Sequence, residues 1–543
     1  MVECLINQGV NTAFGIPGES YLDVLDALYD VKNQIRMIVT RHESGASFAA
    51  EAFGKLTGAP GICFVTRGPG ATNASIGVHT AMQNSSPMIL FVGQIGRDMR
   101  DREAFQEIDY RSFFGDISKW VTEIDNVDRI PEIVARAFTV ALSGRPGPVV
   151  IALPEDMLRD LSNVTPCEKS VIGQGYPDTD ALNRAISLLG SAQKPLVLVG
   201  GGGWTQQGRD SLDTFLKVNN LPVAVAFRSQ DLVDNRSDAY IGDAGVGMSP
   251  HVRQAIKEAD LILALNIRFG ESTTDGWQLL SVPKMAAKLI HMHASDAEIG
   301  KIYQPDVALV SNPNIAAEQL VVSGNCGDWT QWRDTLRHKF DDMRKSASVQ
   351  GSVDMVEISR WLDEKLAPDA ILTNGAGNFA VWPSKFLNFS SGRRLLAPQS
   401  GAMGAGYPAA LAAKAVDANR QVICFAGDGD FQMSIGEMGT AAQEGLNPII
   451  LLLNNGMYGT IRAHQARDYP GRQSGTKIVN PDFVTIAKAY GIFGARVTKT
   501  SDFAPAFEQA LKSSTGGLVE IIIDPEDITP FTSLSKIENS KAV

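Results

Sequence analysis

The chain has 543 residues, a formal charge of −11 and 44% apolar residues, a length that exceeds one hydrophobic core and points to about three domains. The acidic balance argues against nucleic acid or an anionic membrane as a partner, and no apolar run is long enough to span a bilayer. Five scattered cysteines without CxxC spacing argue against a disulfide framework or a zinc cluster and fit a reducing cytoplasm.

Taken in chain order, the sequence opens in a helical pattern, Val2-Glu3-Cys4-Leu5-Ile6. Short apolar runs then alternate with helix-length segments: Ile35–Thr40, Gly61–Thr66, Met88–Val92, Val149–Leu153, Leu196–Gly200, Leu261–Asn266, Val422–Ala426, Ile449–Leu453 and Leu518–Ile523. That alternation predicts parallel α/β units. Leu158–Thr179 and Ser323–Val353 read as polar crossings, which leaves three segments at 1–160, 180–325 and 350–530. Phe531–Val543 loses periodicity and is expected as a polar tail, and no repeat is visible at the level of sequence.

In the first segment, Arg41-His42-Glu43 opens an alanine-rich helix, Ser44–Leu56, closed by Gly58. A glutamate in a first helical turn ordinarily just complements the positive helix end. The strand Gly61–Thr66 then runs into a glycine turn, Arg67-Gly-Pro-Gly-Ala-Thr-Asn73, and Ala104-Phe-Gln-Glu-Ile-Asp109 follows. In the middle segment, Leu196–Gly203 is a strand entering four glycines, the general form of a dinucleotide site but also of tight helix packing. His291 and His293 alternate along a strand and read as ordinary strand residues rather than metal ligands.

The third segment carries the densest chemistry. Val422–Ala426 and Ile449–Leu453 bracket a helix expected at Ser434–Glu444, and their ends carry Gly427-Asp428-Gly429 and Asn454-Asn455. Strand ends beside a crossover helix are where open α/β sheets bind ligands. Asp428 offers a carboxylate, Asn455 an amide oxygen and Met457 a backbone carbonyl. Mg²⁺ takes oxygens in a tight octahedron and shares them with phosphates and water, while the flanking glycines let N–H groups approach phosphate oxygens.

The segments RHES, TGAPG, RGPGATN, GQI, AFQEID, KW and RPGPVVIALP resemble the pyrimidine-binding domain of the acetolactate synthase-like thiamine diphosphate (ThDP) family. GDG, followed 27 positions after Asp428 by Asn455, resembles that family's diphosphate motif. The resemblance implies an α/β fold of three parallel-sheet domains: a pyrimidine-binding domain (1–160), a central Rossmann-like domain (180–325) and a diphosphate-binding domain (350–530). It also implies ThDP and Mg²⁺ as cofactors, with Asp428, Asn455 and Met457 on the metal and Gly427, Gly429 and Gly459 beside the diphosphate. Glu43 would hydrogen-bond N1′ of the aminopyrimidine and promote the imino tautomer that removes the thiazolium C2 proton. The Gly401 carbonyl would accept from the 4′-amino group, and Met403 would wedge between the two rings. Gln106 falls on a catalytic position of the family, and Arg268 on the arginine that pairs with the second keto acid's carboxylate, a task suited to a guanidinium.

Several positions depart from the family. Asn378 and Phe379 stand where many relatives carry Gln and His, so Gly377 and Asn378 remain as backbone or amide donors of the clamp. His293 and Ser295 replace two acidic positions common in flavin-binding members, which leaves FAD open. His464 replaces a tryptophan of the acceptor pocket and Thr460 a nearby methionine. The expected reaction is decarboxylation of a 2-keto acid with carboligation to a carbonyl acceptor, in a homodimer or homotetramer with sites between subunits. A simple decarboxylase, an FAD-linked oxidase and a catalytically silent nucleotide-binding regulator are the alternatives.

Overall fold

The computed structural model describes residues 1–390 and 392–540. Eighteen strands form three separate six-stranded sheets, and every pairing between strands is parallel. The first sheet contains β1 (Thr12–Gly15), β2 (Arg36–Val39), β3 (Gly61–Val65), β4 (Met88–Gln94), β5 (Trp120–Glu123) and β6 (Pro148–Pro154). The second contains β7 (Pro195–Val199), β8 (Val223–Ala226), β9 (Tyr240–Ala244), β10 (Leu261–Leu265), β11 (Lys288–His293) and β12 (Val307–Val310). The third contains β13 (Ile371–Asn374), β14 (Arg394–Leu396), β15 (Val422–Gly427), β16 (Ile449–Asn454), β17 (Phe493–Val497) and β18 (Gly517–Ile522).

The strands nearest the sheet centres are almost wholly apolar because helices cover both faces; β3, β4, β7, β10 and β15 are buried throughout. The first sheet runs β2-β1-β3-β4-β6-β5, and the third repeats that order as β14-β13-β15-β16-β18-β17. The second runs β12-β11-β10-β7-β8-β9, the dinucleotide-fold order read from its far edge. One hydrophobic core joins the first and third units: Phe14, Ala50 and Val78 belong to the same cluster as Ala410, Ala413 and Met438.

All nine expected strands are present, with ends shifted by a residue or two. The helix expected at Ser434–Glu444 is instead three pieces, Asp428–Gln432, a 3-10 turn at Ile435–Glu437 and Met438–Glu444. Helix begins at Asp428 itself, directly off β15, and Ser434 leaves helical geometry with φ −131°. The second crossing contains a helix, Thr330–Lys345, whose Leu336 and Phe340 are buried; its charged face had masked that apolar stripe. The tail forms a short helix, Leu534–Asn539, because the Ser533 side chain caps the Lys536 N–H; residues 541–543 lie outside the described residues.

Candidate cofactor site

The third sheet changes direction between β13 and β15, and the loops leaving these two strands meet there. Beside them lies a cavity of about 1030 Å³. Its wall includes Gly377, Asn378, Gly401, Met403, Gly427, Asp428, Gly429, Asn455, Met457 and Gly459, all of the cofactor-binding residues expected in the third segment. Close approach forces two of the glycines. A Cβ on Gly427 would lie 2.6 Å from the Phe379 ring, and one on Gly429 would lie 2.7 Å from that of Tyr458.

Asp428 is 3% exposed. Its Oδ1 accepts from the Gly429 N–H at 3.0 Å; its Oδ2 accepts from the Gly456 N–H at 2.9 Å and from Asn480 Nδ2 at 2.7 Å. Burial raises its pKa, against the pull of those donors. These donors are all neutral N–H groups, so a bound cation would relieve the buried charge. Asn455 Oδ1 accepts from the Met457 N–H at 3.2 Å, and Met457 pairs with Lys477 in an isolated bridge. Among the described residues no group of three His, Cys, Asp or Glu side chains could hold a metal. Carboxylate, amide and carbonyl oxygens in one place are instead the donor set of a hard cation, so the residues fit Mg²⁺.

Two anchors here escaped the sequence reading. Asn480 also bonds Asn454 Oδ1 at 2.8 Å, holding the Asp428 carboxylate from behind. Asp430, buried and pushed up to about 7 by desolvation, accepts from Ala376 N at 3.0 Å and Gly404 N at 2.9 Å. It thereby ties the Gly377 and Met403 loops together. The GDGD doublet was the available signal for Asp430; Asn480 had none.

Asn378 is on the wall, but its amide donates to the Ile528 carbonyl at 2.9 Å and accepts from the Thr460 hydroxyl. Its backbone N–H is the donor left for a ligand. Gly401 has a left-handed backbone, φ +70°.

Glu43, Gln106 and Arg268 do not line this cavity. Glu43 begins the helix Glu43–Thr57, half-buried, and its Oε2 accepts from Asn73 Nδ2 at 2.9 Å. Asn73 sits on the helix Pro69–Asn84, just after the turn at Gly68. Gln106 packs over that same turn: a Cβ on Gly68 would fall 2.7 Å from that of Gln106. Glu43 and Gln106 therefore both meet the segment Gly68–Asn73 of the first unit, away from the cavity wall.

Three family descriptions cover most of the chain. Residues 1–113 match the N-terminal TPP binding domain of thiamine pyrophosphate enzymes, 182–320 the central domain and 375–522 the C-terminal TPP binding domain. The acetolactate synthase large subunit of Corynebacterium glutamicum is 32% identical over 98% of this chain and 88% of its own length. The isozyme 2 large subunit of Escherichia coli is 32% identical over 98% and 96%. The chloroplastic acetolactate synthase of Arabidopsis thaliana is 30% identical over 96% and 80%.

The chain belongs to the acetolactate synthase-like family of thiamine diphosphate enzymes.

In this ThDP enzyme, protein groups pack against the glycine turn of the central unit. Trp204 is 8% exposed and folds back to donate its indole N–H to the Gly200 carbonyl at 2.9 Å. Asn266 and Asn314 donate to the carbonyls of Gly202 and Gly203, and a Cβ on Gly202 would lie 2.3 Å from the Ser85 carbonyl. A small void of about 10 Å³ beside Trp204 is lined by Leu265, Asn266, Met292 and Ala316. His293, whose pKa burial pushes down to about 4, turns its Nδ1 to the Ser295 N–H at 2.9 Å.

Arg268 is mostly buried and bridges units rather than facing the cavity. Its Nη2 donates to the Gln83 carbonyl at 2.5 Å and lies 3.4 Å from Gln399 Oε1, and Gln399 itself lines the cavity.

Proposed function

We propose that this enzyme performs Mg²⁺- and ThDP-dependent decarboxylation of a small 2-keto acid with carboligation to a carbonyl acceptor, as the names of its relatives imply. The observation that carries this reading is the convergence of every cofactor-side candidate of the third segment on one cavity around a buried carboxylate bonded by neutral N–H donors. When bound, thiamine diphosphate supplies the nucleophilic carbon and the electron sink.

The chain's own residues divide the remaining work. Asp428, Asn455 and the Met457 carbonyl hold the Mg²⁺, oriented by Asn480. The backbone around Gly377, Asn378, Gly427, Gly429 and Gly459 receives the diphosphate. Met403 and the Gly401 carbonyl orient the aminopyrimidine. Glu43, steadied by Asn73, holds a proton at the pyrimidine N1′, and Gln106 flanks it. Arg268 acts through Gln399 as a positioning residue. The packed glycine turn at Gly200–Gly203 supports operation without FAD.

Glu43 lies in the first unit and off the wall of the cavity formed by its own chain. That separation supports a homodimer or homotetramer in which Glu43 of one protomer completes the site of another. The segments 1–160, 180–325 and 350–530 are proposed as the domains of that assembly.

His464 favours a second reading, non-oxidative decarboxylation. It lines the cavity with its Nδ1 2.6 Å from Arg467 Nη2, a titratable ring where protonation could compete with carboligation. Purified protein with ThDP, Mg²⁺ and a panel of 2-keto acids separates the two. CO₂ with ketol supports carboligation, CO₂ with aldehyde alone supports the second reading, and no CO₂ from any acid overturns both.

A further inference from the structure

The cavity wall carries a cation that makes no ion pair within 4 Å among the described residues, Asp430 being the acid that acts on it electrostatically. Arg228 follows β8, at the carboxyl end of the central sheet, and is 8% exposed. Its backbone is left-handed, φ +57°, a conformation that strains a non-glycine residue and is retained chiefly where function demands it. Among the described residues only Nη1 of its guanidinium donors has a protein acceptor, the Pro398 carbonyl at 2.5 Å; Cζ lies 4.8 Å from the centre of the Phe227 ring. Two buried acids of the same unit pair elsewhere, Asp231 with Arg394 at 2.9 Å and Asp243 with Lys385 at 2.5 Å. Burial lowers the Arg228 pKa to about 10, partly offset by Asp430, so it stays charged at neutral pH.

A desolvated cation without an ion pair is costly, and the cost is relieved when a ligand brings an anion. Arg228 shares its wall with Gln399, Ser400, Gly401 and Met403, the segment assigned above to orienting the cofactor. We propose that Arg228 anchors an oxyanion group of the substrate that survives the reaction, a carboxylate or similar acid retained in the product. The group cannot be the carboxylate that leaves as CO₂. That carboxylate sheds its charge in the transition state, so an ion pair to it would stabilise the ground state more and slow the reaction. The retained acid is either the carboxylate of the acceptor or a second acid on the donor. This inference rests on the 2-keto acid reading above.

The test compares the wild type with Arg228→Gln and Arg228→Lys, each loaded with ThDP and Mg²⁺. Oxamate, an unreactive carboxylate probe, is titrated by calorimetry. Two selectivity ratios of kcat/KM are then measured: a 2-keto acid over an aldehyde as acceptor, and 2-ketoglutarate over pyruvate as donor. Arg228→Gln is expected to weaken oxamate and lower one ratio by ~10–100-fold, the scale of a charge-assisted bidentate contact, with Arg228→Lys recovering part of the loss. A fall in the first ratio assigns the acceptor carboxylate, and a fall in the second assigns a second acid on the donor. Unchanged oxamate affinity, unchanged ratios, or a parallel loss of ThDP affinity in both variants overturns the proposal. If the wild type turns over no 2-keto acid yet binds oxamate through Arg228, the reaction assignment fails while the anion site stands. A wild type that does not bind oxamate overturns the anion site.

Discussion

Glu437 Oε1 accepts the backbone N–H of His42 at 3.0 Å, and both its carboxylate oxygens also face the N–H of Arg41, at 3.2 and 3.1 Å. A carboxylate of the third unit therefore holds the backbone immediately before Glu43. Thr440 Oγ1 adds a third donor at 2.6 Å, and Glu437 is 1% exposed. A Cβ on Gly45 would lie 2.3 Å from Glu437 Oε1, so glycine at that position admits the contact. Glu437→Ala should cost roughly 2–4 kcal/mol, because buried N–H groups lose their acceptor. It should also slow ThDP C2–H exchange by displacing Glu43. Thermal melts and exchange followed by NMR check both; normal exchange in a folded variant would detach Glu437 from the site.

Asp428→Ala should abolish Mg²⁺-dependent ThDP binding, since the diphosphate loses its bridge to the protein. Asn480→Ala removes a donor that orients Asp428 without touching the metal. It should weaken Mg²⁺ activation by ~10–100-fold, the range for such supporting contacts. Calorimetric titration with and without Mg²⁺ measures each effect, and native affinity in Asp428→Ala would refute the metal assignment.

Glu43→Gln should retain ThDP but slow C2–H exchange by orders of magnitude, because an amide cannot deliver the carboxyl proton to N1′. Mixed with Asp428→Ala under subunit-exchanging conditions, it should regain part of the activity, since a hybrid dimer contains one intact site. Verified hybrids with no recovery would place both halves of the site within one protomer.

Burial raises the pKa of Asp213, in the helix Gln206–Val218, to about 6. A carboxyl group raised on folding favours the protonated native state, so its stabilising contribution is present below about pH 4 and is lost as pH rises through about 6. Asp213→Asn should therefore raise Tm by about 2–4 °C at pH 7–8 and have little effect near pH 4. The Asp234 N–H that Asp213 accepts at 3.3 Å makes this a modest net gain. A Tm difference independent of pH would show that the carboxylate ionises freely in the fold.

Local chemistry made the outline of the protein legible from the chain alone. Continuous apolar runs such as Met88–Val92 and Ile449–Leu453 could only be buried strands, and glycines around Asp428 marked where backbone must approach a ligand. The diphosphate-side residues lie on a few loops leaving adjacent strands, so the chain order already implied their convergence. Strands of three to five residues, including Arg394–Leu396 and Val223–Ala226, are too short to show periodicity and form because neighbouring strands supply their partners. The identical strand order of the first and third sheets leaves no trace in sequence, since topology constrains burial rather than residue identity. Tertiary packing alone placed Glu437 before Glu43, Asn480 behind Asp428 and Trp204 in the glycine turn. It also left Arg228 buried without an ion-pair partner among the described residues. Each of these relations joins residues from distant elements, and a side chain's cost or value there depends on what the fold brings against it.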